Sequence, residues 1–126
     1  MTPTYDGSNP SVPANVLVIL RKGSVVVMER VFISQPMKGL SNEEIEAKRA
    51  EAIGYIKACL GEDVEIIDSF FKDAPADAKP LWYLAESIHL LATADYVYFV
   101  EGWQNARGCI IEHLCASTYG ISILYY

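Results

Sequence analysis

The chain has 126 residues, 16 acidic and 10 basic, for a formal net charge of 10 − 16 = −6. That length holds one hydrophobic core of ordinary size, and the acidic balance argues against a nucleic-acid polymer as partner, because such binding draws its affinity from Lys and Arg neutralising phosphates. Hydrophobic residues at 52% against 21% charged exclude a disordered chain.

Residues Met1 to Pro13 are mostly Thr, Pro, Ser, Gly and Asn, bury little, and are expected to be flexible. Two β-rich runs follow, Asn15–Leu20 and Ser24–Ile33, with Arg21-Lys22-Gly23 as the turn between them. Residues 1–28 therefore read as an N-terminal extension holding an extra strand or hairpin, and residues 29–126 as the domain proper. Val31–Ile33 is a short apolar strand ended by Ser34-Gln35-Pro36. Ser41-Asn42-Glu43-Glu44 has the form of a capping box, and the helix it opens carries Ile45, Ala52, Ile53, Ile56 and Leu60 at helical spacing before Gly61 stops it. Val64–Ile67 is the next strand. A loop from Lys72 to Pro80 leads to a helix from Leu81 to about Ala92, with an apolar stripe at Leu81, Leu84, Ala85, Ile88, Leu91 and Ala92. Tyr96–Val100 is a strand bounded by Gly102, a helix runs from about Ala106 to Tyr119 with Gly120 as its stop, and Ile121–Tyr125 closes the chain as a strand.

The longest candidate for a membrane segment, Val16 to Leu20, is far too short and is broken by Arg21-Lys22-Gly23; it also lacks the flanks of a signal peptide. Three cysteines without a CxxC pair fit a reducing compartment. These features point to a cytoplasmic protein with no membrane partner.

Strands alternating with helices imply βαβ units and a mostly parallel sheet of four to five strands covered on both faces, a three-layer α/β sandwich. Right-handed crossovers place the loops after the strands on one edge, where open sheets of this kind bind ligands. The segments to examine are thus Ser34–Gly39, Asp68–Phe71 and Glu101–Gly108. Two charged residues interrupt apolar helix faces. Arg49 lies midway between Ile45 and Ile53, and Glu112 shares a face with Gly108, Ile111, Cys115 and Tyr119. Buried charges are costly unless paired or functional, so the two form either a structural ion pair or part of a site. Gly108 leaves space in front of the Glu112 carboxylate, which the nearby helix N-terminus is expected to keep ionised. Glu86 and Ser87 fall off the predicted stripe of their helix. Alone they suggest a solvated face, but with Glu112 a second carboxylate at Glu86 or Asp68 suits glycosidic-bond chemistry. Cys109 and His113 match no metal-ligand frame, and no glycine-rich dinucleotide or P-loop fingerprint is present, so neither metal nor cofactor is expected. Trp82, Tyr83 and Trp103 could stack on a base or simply pack.

The segments Val31-Phe-Ile-Ser-Gln-Pro-Met37, Ala94-Asp95, Gly102-Trp103, Gly108-Cys-Ile-Ile-Glu112, Ala116 and Gly120 resemble the nucleoside 2-deoxyribosyltransferase-like superfamily, over roughly Glu29 to Tyr126. The resemblance implies a flavodoxin-like fold and cleavage of the N-glycosidic bond of a (deoxy)nucleoside or nucleoside 5′-monophosphate, by hydrolysis or base transfer. Glu112 corresponds to the family's nucleophilic glutamate. Ser34, Gln35, Pro36 and Met37 correspond to the turn that lines the sugar or phosphate pocket, although Gln35 stands where a glycine is usual. The position of a family aspartate, eight residues before Asp95, is held by Ser87, so Glu86 or Asp68 is the expected proton donor to the leaving base. Lys38, Gly39 and Arg49 are expected near a 5′-phosphate, which favours a nucleotide slightly over a nucleoside, with Gly102, Trp103 and Gly108 completing the substrate pocket. By the same analogy the chain is expected to form a homodimer or higher homo-oligomer. The competing expectation is a nucleotide-binding or sensing module on this fold that cleaves nothing.

Overall fold

The structure is a computed structural model that describes residues 17–21 and 24–126, with side chains from Met28 onward. The Met1–Pro13 segment and the Lys22-Gly23 turn lie outside the described residues. Strand β1 (Leu17–Arg21) pairs antiparallel with the first half of β2 (Ser24–Ser34), from Leu17 opposite Met28 to Arg21 opposite Ser24. The two runs expected at 24–33 and 31–33 are one continuous strand of 11 residues. Its second half, Val31-Phe32-Ile33, is at most 1% exposed, as a strand covered on both faces must be.

That half of β2 forms the centre of a parallel sheet. On one side it pairs with β3 (Val64–Ile66), and on the other with β4 (Tyr96–Phe99), in the register Val31 to Tyr96 and Ser34 to Phe99. The outer side of β4 takes β5 (Ser122–Tyr125), with Phe99 opposite Tyr125. The four parallel strands thus run β3-β2-β4-β5, and with three helices they make the expected flavodoxin-like α/β sandwich. The chain leaves β2 toward β3 and later returns to the other side of β2 as β4. The order therefore reverses between β2 and β4, and the crevice at their C-terminal ends is a topological switch point.

Side-chain alternation splits the core. Val31, Ile33, Val64, Tyr98 and Val100 face helix α1 (Asn42–Leu60) through Ala52 and Ile56. On the other face Phe32, Val97 and Phe99 pack with Leu91 and Ala94, at the end of helix α2 (Pro80–Leu91), and with Ala116 of helix α3 (Arg107–Tyr119). The capping box forms as expected: Glu44 N donates to Ser41 Oγ at 3.1 Å and Ser41 N to Glu44 Oε1 at 3.2 Å. Gly61 ends α1 at φ +93°, a backbone region that favours glycine.

Helix α2 departs from the expected stripe. Leu81 is 76% exposed and Ala85 and Ala92 are exposed, while Leu84, Ser87, Ile88 and Leu91 form the inward row at i, i+3, i+4 and i+7. Alanines fit either face, so the apolar pattern alone does not fix the rotation of this helix, and Ser87, expected off the stripe on a solvated face, lies on the inward row. None of the helices in the described residues is long and apolar enough to cross a membrane.

Candidate functional site

Ser34 is the last residue of β2, and alternation from Phe32 directs its side chain to the α2/α3 face. There its hydroxyl donates to Glu112 Oε1 at 2.6 Å, with Ser34 1% and Glu112 7% exposed. Glu112 stands in the second turn of α3, and the Ser87 hydroxyl from the inner row of α2 lies close enough to favour its ionised form. Three elements that are distant in sequence thus bring two hydroxyls to one buried carboxyl at the C-terminal edge of the sheet.

Burial pushes the Glu112 carboxyl up from 4.5 to about 7, and the Ser34 and Ser87 hydroxyls pull against that rise. Among the described residues no ion pair reaches Glu112; the bridges present are Arg30–Glu65, Lys57–Glu62 and Lys72–Glu46. The expectation of a fully ionised carboxylate is therefore corrected. Helix-dipole stabilisation falls off beyond the first turn, and loss of hydration outweighs it here. A group titrating near 7 can serve as nucleophile in one state and as acid in the other.

Cys109 lies one turn before Glu112 and is buried beside Ser34. Burial, reinforced by the Glu112 charge, raises its thiol to about 11 against a lowering hydrogen bond from Ser34. The thiol therefore stays protonated and forms a wall of the site rather than a nucleophile. Its i, i+3 spacing from Glu112 places both on the same face of α3. Gly108 faces open space, since a Cβ built there meets nothing within 4 Å.

The ion pair between Arg49 and Glu112 is not formed. Arg49 is on α1, across the sheet from α3, and its guanidinium donates to Gln35 Oε1 at 3.4 Å, Ser69 Oγ at 3.2 Å and Ile67 O at 2.5 Å. Gln35 turns the same way, with its Nε2 donating to Ile45 O at 3.1 Å. Arg49 and Gln35 thus clamp the C-terminal ends of β2 and β3 onto α1. Burial lowers the Arg49 pKa and Asp68 counters this, and the side chain remains a cation. Ser69, inside the Asp68–Phe71 segment but marked by no pattern of its own, is 3% exposed and supplies one of the acceptors.

The loops after β2 and β4 meet at Pro36 and Gly102. Gly102 has φ +89°, and a Cβ on it would lie 3.7 Å from Pro36 Cγ. Met37 closes a turn by accepting from Leu40 N at 3.1 Å, which leaves Lys38 and Gly39 exposed. Trp103 opens a single 3-10 turn, Trp103–Asn105, and stacks on the His113 ring at a centroid distance of 4.4 Å and an angle of 21°. His113 Nε2 lies 2.8 Å from Tyr125 Oη. One face of Trp103 is therefore already covered by packing. Glu86 is half-buried next to Ser87 on α2. Asp68 is exposed and lines a separate depression with Glu46, Arg49, Phe70, Lys72 and Asp73. Asp95 lies at the other end of β4, where its carboxylate accepts from Arg30 N at 2.8 Å and ties β2 to β4. Of the expected site residues, Ser34, Ser87 and Glu112 converge, and Pro36 and Gly102 form a lip. Gln35 and Arg49 form a separate clamp, and Asp68 belongs to a different depression. Among the described residues no group of three potential metal ligands occurs.

Residues 29–125 match the family model DUF4406, a domain of unknown function. No curated protein and no solved structure matches the chain significantly. None of these comparisons links the chain to nucleoside 2-deoxyribosyltransferase-like proteins.

Proposed function

The chain belongs to the DUF4406 family, and we propose that it cleaves or exchanges the N-glycosidic bond of a (deoxy)nucleoside or nucleoside 5′-monophosphate with Glu112 as nucleophile. The observation that carries this reading is the Glu112 carboxyl itself. It is buried at the switch-point edge, held at 2.6 Å by Ser34, flanked by Ser87, and titrates at about 7 without a cationic partner. A carboxyl kept for structure alone gains more from a cation or from exposure than from two hydroxyls.

In the ionised state a Glu112 oxygen attacks the anomeric carbon. A C–O ester bond forms as the C–N bond breaks, and the bonding pair leaves with the base, which takes a proton from Glu86, since Asp68 lies in the other depression. Water, or a second base, then attacks the same carbon and gives its proton back to the Glu86 carboxylate, the ester bond breaks back to the Glu112 carboxylate, and the configuration is retained. Ser34 and Ser87 position the attacking oxygen and stabilise it as it leaves. Pro36, Met37, Gly102, Trp103 and Gly108 border the crevice that takes the sugar and base. Lys38 and Arg107 are exposed cations on the same edge.

Incubation with a panel of nucleosides and nucleoside monophosphates, followed by chromatography for free base, tests the reading. Glu112→Ala and Glu112→Gln should abolish release while melting cooperatively. Release by either variant at the wild-type rate sinks the mechanism. A second reading, a binding module that cleaves nothing, draws on Ser87, since a hydroxyl cannot act as the proton donor of a typical carboxyl pair. Ligand-dependent rise of the melting temperature with no free base favours that reading.

A further inference from the structure

The two faces of the sheet are covered unequally. Helices α2 and α3 pack side by side over one face, whereas among the described residues α1 alone covers the other, through Ala52 and Ile56. Beside α1, toward β5, lies a depression of about 240 Å³. One wall is a single row of α1 at i, i+3, i+4 and i+7: Lys48, Glu51, Ala52 and Tyr55. Ala52 is the small residue of that row and leaves the floor to Tyr98 and Val100, in and just after β4, which are 5% and 7% exposed. Glu101 and Tyr126, which follow β4 and β5, close the far side. The depression therefore sits at the C-terminal edge of the sheet, on the face opposite Glu112.

Its polar lining groups are unpaired. The Tyr98 ring packs against Tyr55 at a centroid distance of 6.3 Å, yet its hydroxyl has no hydrogen-bond partner among the described residues. No fully buried side-chain oxygen or nitrogen of those residues lacks a partner, so this hydroxyl is open to the depression. Burial, and after it Tyr55, Glu51 and Cys59, raises the Tyr98 pKa, so the phenol is neutral and keeps its lone pairs as acceptors. Glu51 and Glu101 are exposed and take part in none of the ion pairs among the described residues. Tyr55 and Tyr126 are 56% and 55% exposed aromatic rings on either side.

We propose that this depression binds an aliphatic ammonium ion, a primary amine on a short alkyl chain. Its N–H groups donate to Tyr98 Oη and to the Glu51 and Glu101 carboxylates. Its alkyl part lies on Ala52, Val100 and the tyrosine rings, which add cation–π attraction. An anion is opposed by the two carboxylates and by the −6 of the chain. A bare metal ion would leave the apolar floor and the rings unused, and no group of three potential metal ligands occurs among the described residues. Lys48 is the one opposing charge, which leaves the lining at 1 − 2 = −1, and its flexible stem lets the ammonium turn to solvent. Glu112 takes no part in this site, and occupancy does not depend on the reaction proposed above.

Titration of the nitrogen-labelled full chain with n-butylamine at neutral pH and constant ionic strength, followed by amide NMR shifts, tests the site. Saturating shifts are expected at residues 51–55 and 98–101, with a Kd in the millimolar range. Tyr98→Phe should raise that Kd about tenfold without lowering the melting temperature of the free chain, because the lost hydroxyl has no partner within it. Glu51→Gln should raise the Kd about two- to fivefold. Glu46→Gln, the same charge change on α1 but in the depression beside Asp68, should leave it unchanged. Absence of saturable shifts overturns the proposal. So does equal binding of butanol, which would mean an apolar hollow only, or of magnesium chloride, which would mean a general attraction of cations to an acidic surface. Wild-type affinity in Tyr98→Phe, or equal weakening by Glu46→Gln and Glu51→Gln, overturns it as well.

Discussion

Replacing Glu112 with Gln keeps the shape of the side chain and removes its titration. In the folded chain the Glu112 carboxyl titrates at about 7, against the ordinary value of 4.5. Because the folded value is the higher one, the folded state holds the proton more tightly. The resulting stability is fully present below pH 4.5 and is lost as pH rises through 7. The rise amounts to about 3 kcal/mol between those limits. Glutamine carries no such penalty, although its amide must find an acceptor where the carboxyl had none to find, which costs about 1 kcal/mol at every pH. At pH 8 the variant should therefore be about 2 kcal/mol more stable than wild type, and at pH 4.5 equal or slightly less stable. For a chain of this size the difference at pH 8 corresponds to a melting temperature higher by roughly 6–10 °C. Thermal melts followed by circular dichroism in half-unit steps from pH 4.5 to 8.5 give both curves. Glu29, whose carboxyl is also raised by burial and by Asp95, titrates in both proteins and cancels in the difference. Parallel curves for the two proteins across this range would refute the reasoning, since they would mean that Glu112 is hydrated and ordinary.

The remaining predictions concern the groups around this carboxyl. Ser34→Ala removes the 2.6 Å donor to Glu112, so the Glu112 pKa should rise further, the acid limb of any pH–rate profile should move to higher pH, and stability at pH 8 should fall by about 1–3 kcal/mol in urea titrations. Gly108→Ala places a methyl group where nothing lies within 4 Å. It should stabilise α3 by about 0.5–1 kcal/mol, while base release drops if a ligand occupies that space. Arg49→Ala orphans Gln35 Oε1, Ser69 Oγ and Ile67 O and should cost about 2–4 kcal/mol. Arg49→Lys should recover only part of that loss because a single ammonium cannot reproduce the fork.

Local signals in the sequence carried most of the architecture. Ser41 and Glu44 satisfy each other within one turn, and Gly61 and Gly120 end their helices by adopting positive φ, so these boundaries are written in a few adjacent residues. The alternation that buries Val31 and Ile33 on one face and Phe32 on the other is likewise local. Partnership across the sheet is not. Ser34 and Glu112 were both visible as candidates, yet their hydrogen bond joins positions 78 apart and depends on α3 covering the face to which Ser34 points. For Arg49 the same gap produced a wrong partner. Helical spacing shows that Arg49 lies on the inner stripe of α1, but it does not show which side of the sheet α1 covers. On α2, alanines at 85 and 92 made two rotations equally plausible. Only packing against α3 turns Ser87 inward toward Glu112.

The separation of Arg49 from Glu112 also changes which ligand the site suits. From sequence, Lys38 and Arg49 together made a nucleotide slightly more attractive than a nucleoside. In the fold the Arg49 guanidinium is engaged by three acceptors on the α1 side, and Lys38 stands exposed in the turn after β2. The buried Glu112 carboxyl at the switch-point edge titrates at about 7, so at neutral pH it carries a substantial negative charge. A 5′-phosphate held about 7 Å away meets that charge with a repulsion on the order of 2 kcal/mol per unit charge at the effective dielectric of a partly buried site. The Lys38 ammonium and the Arg107 guanidinium at the start of α3, both exposed and screened by salt, offset only part of this. An uncharged nucleoside meets no such repulsion, and the positive charge that develops on its sugar in the transition state is stabilised by the ionised Glu112. Local charge and the global excess of acidic residues therefore act in the same direction, and both favour the nucleoside as the substrate of the proposed reaction.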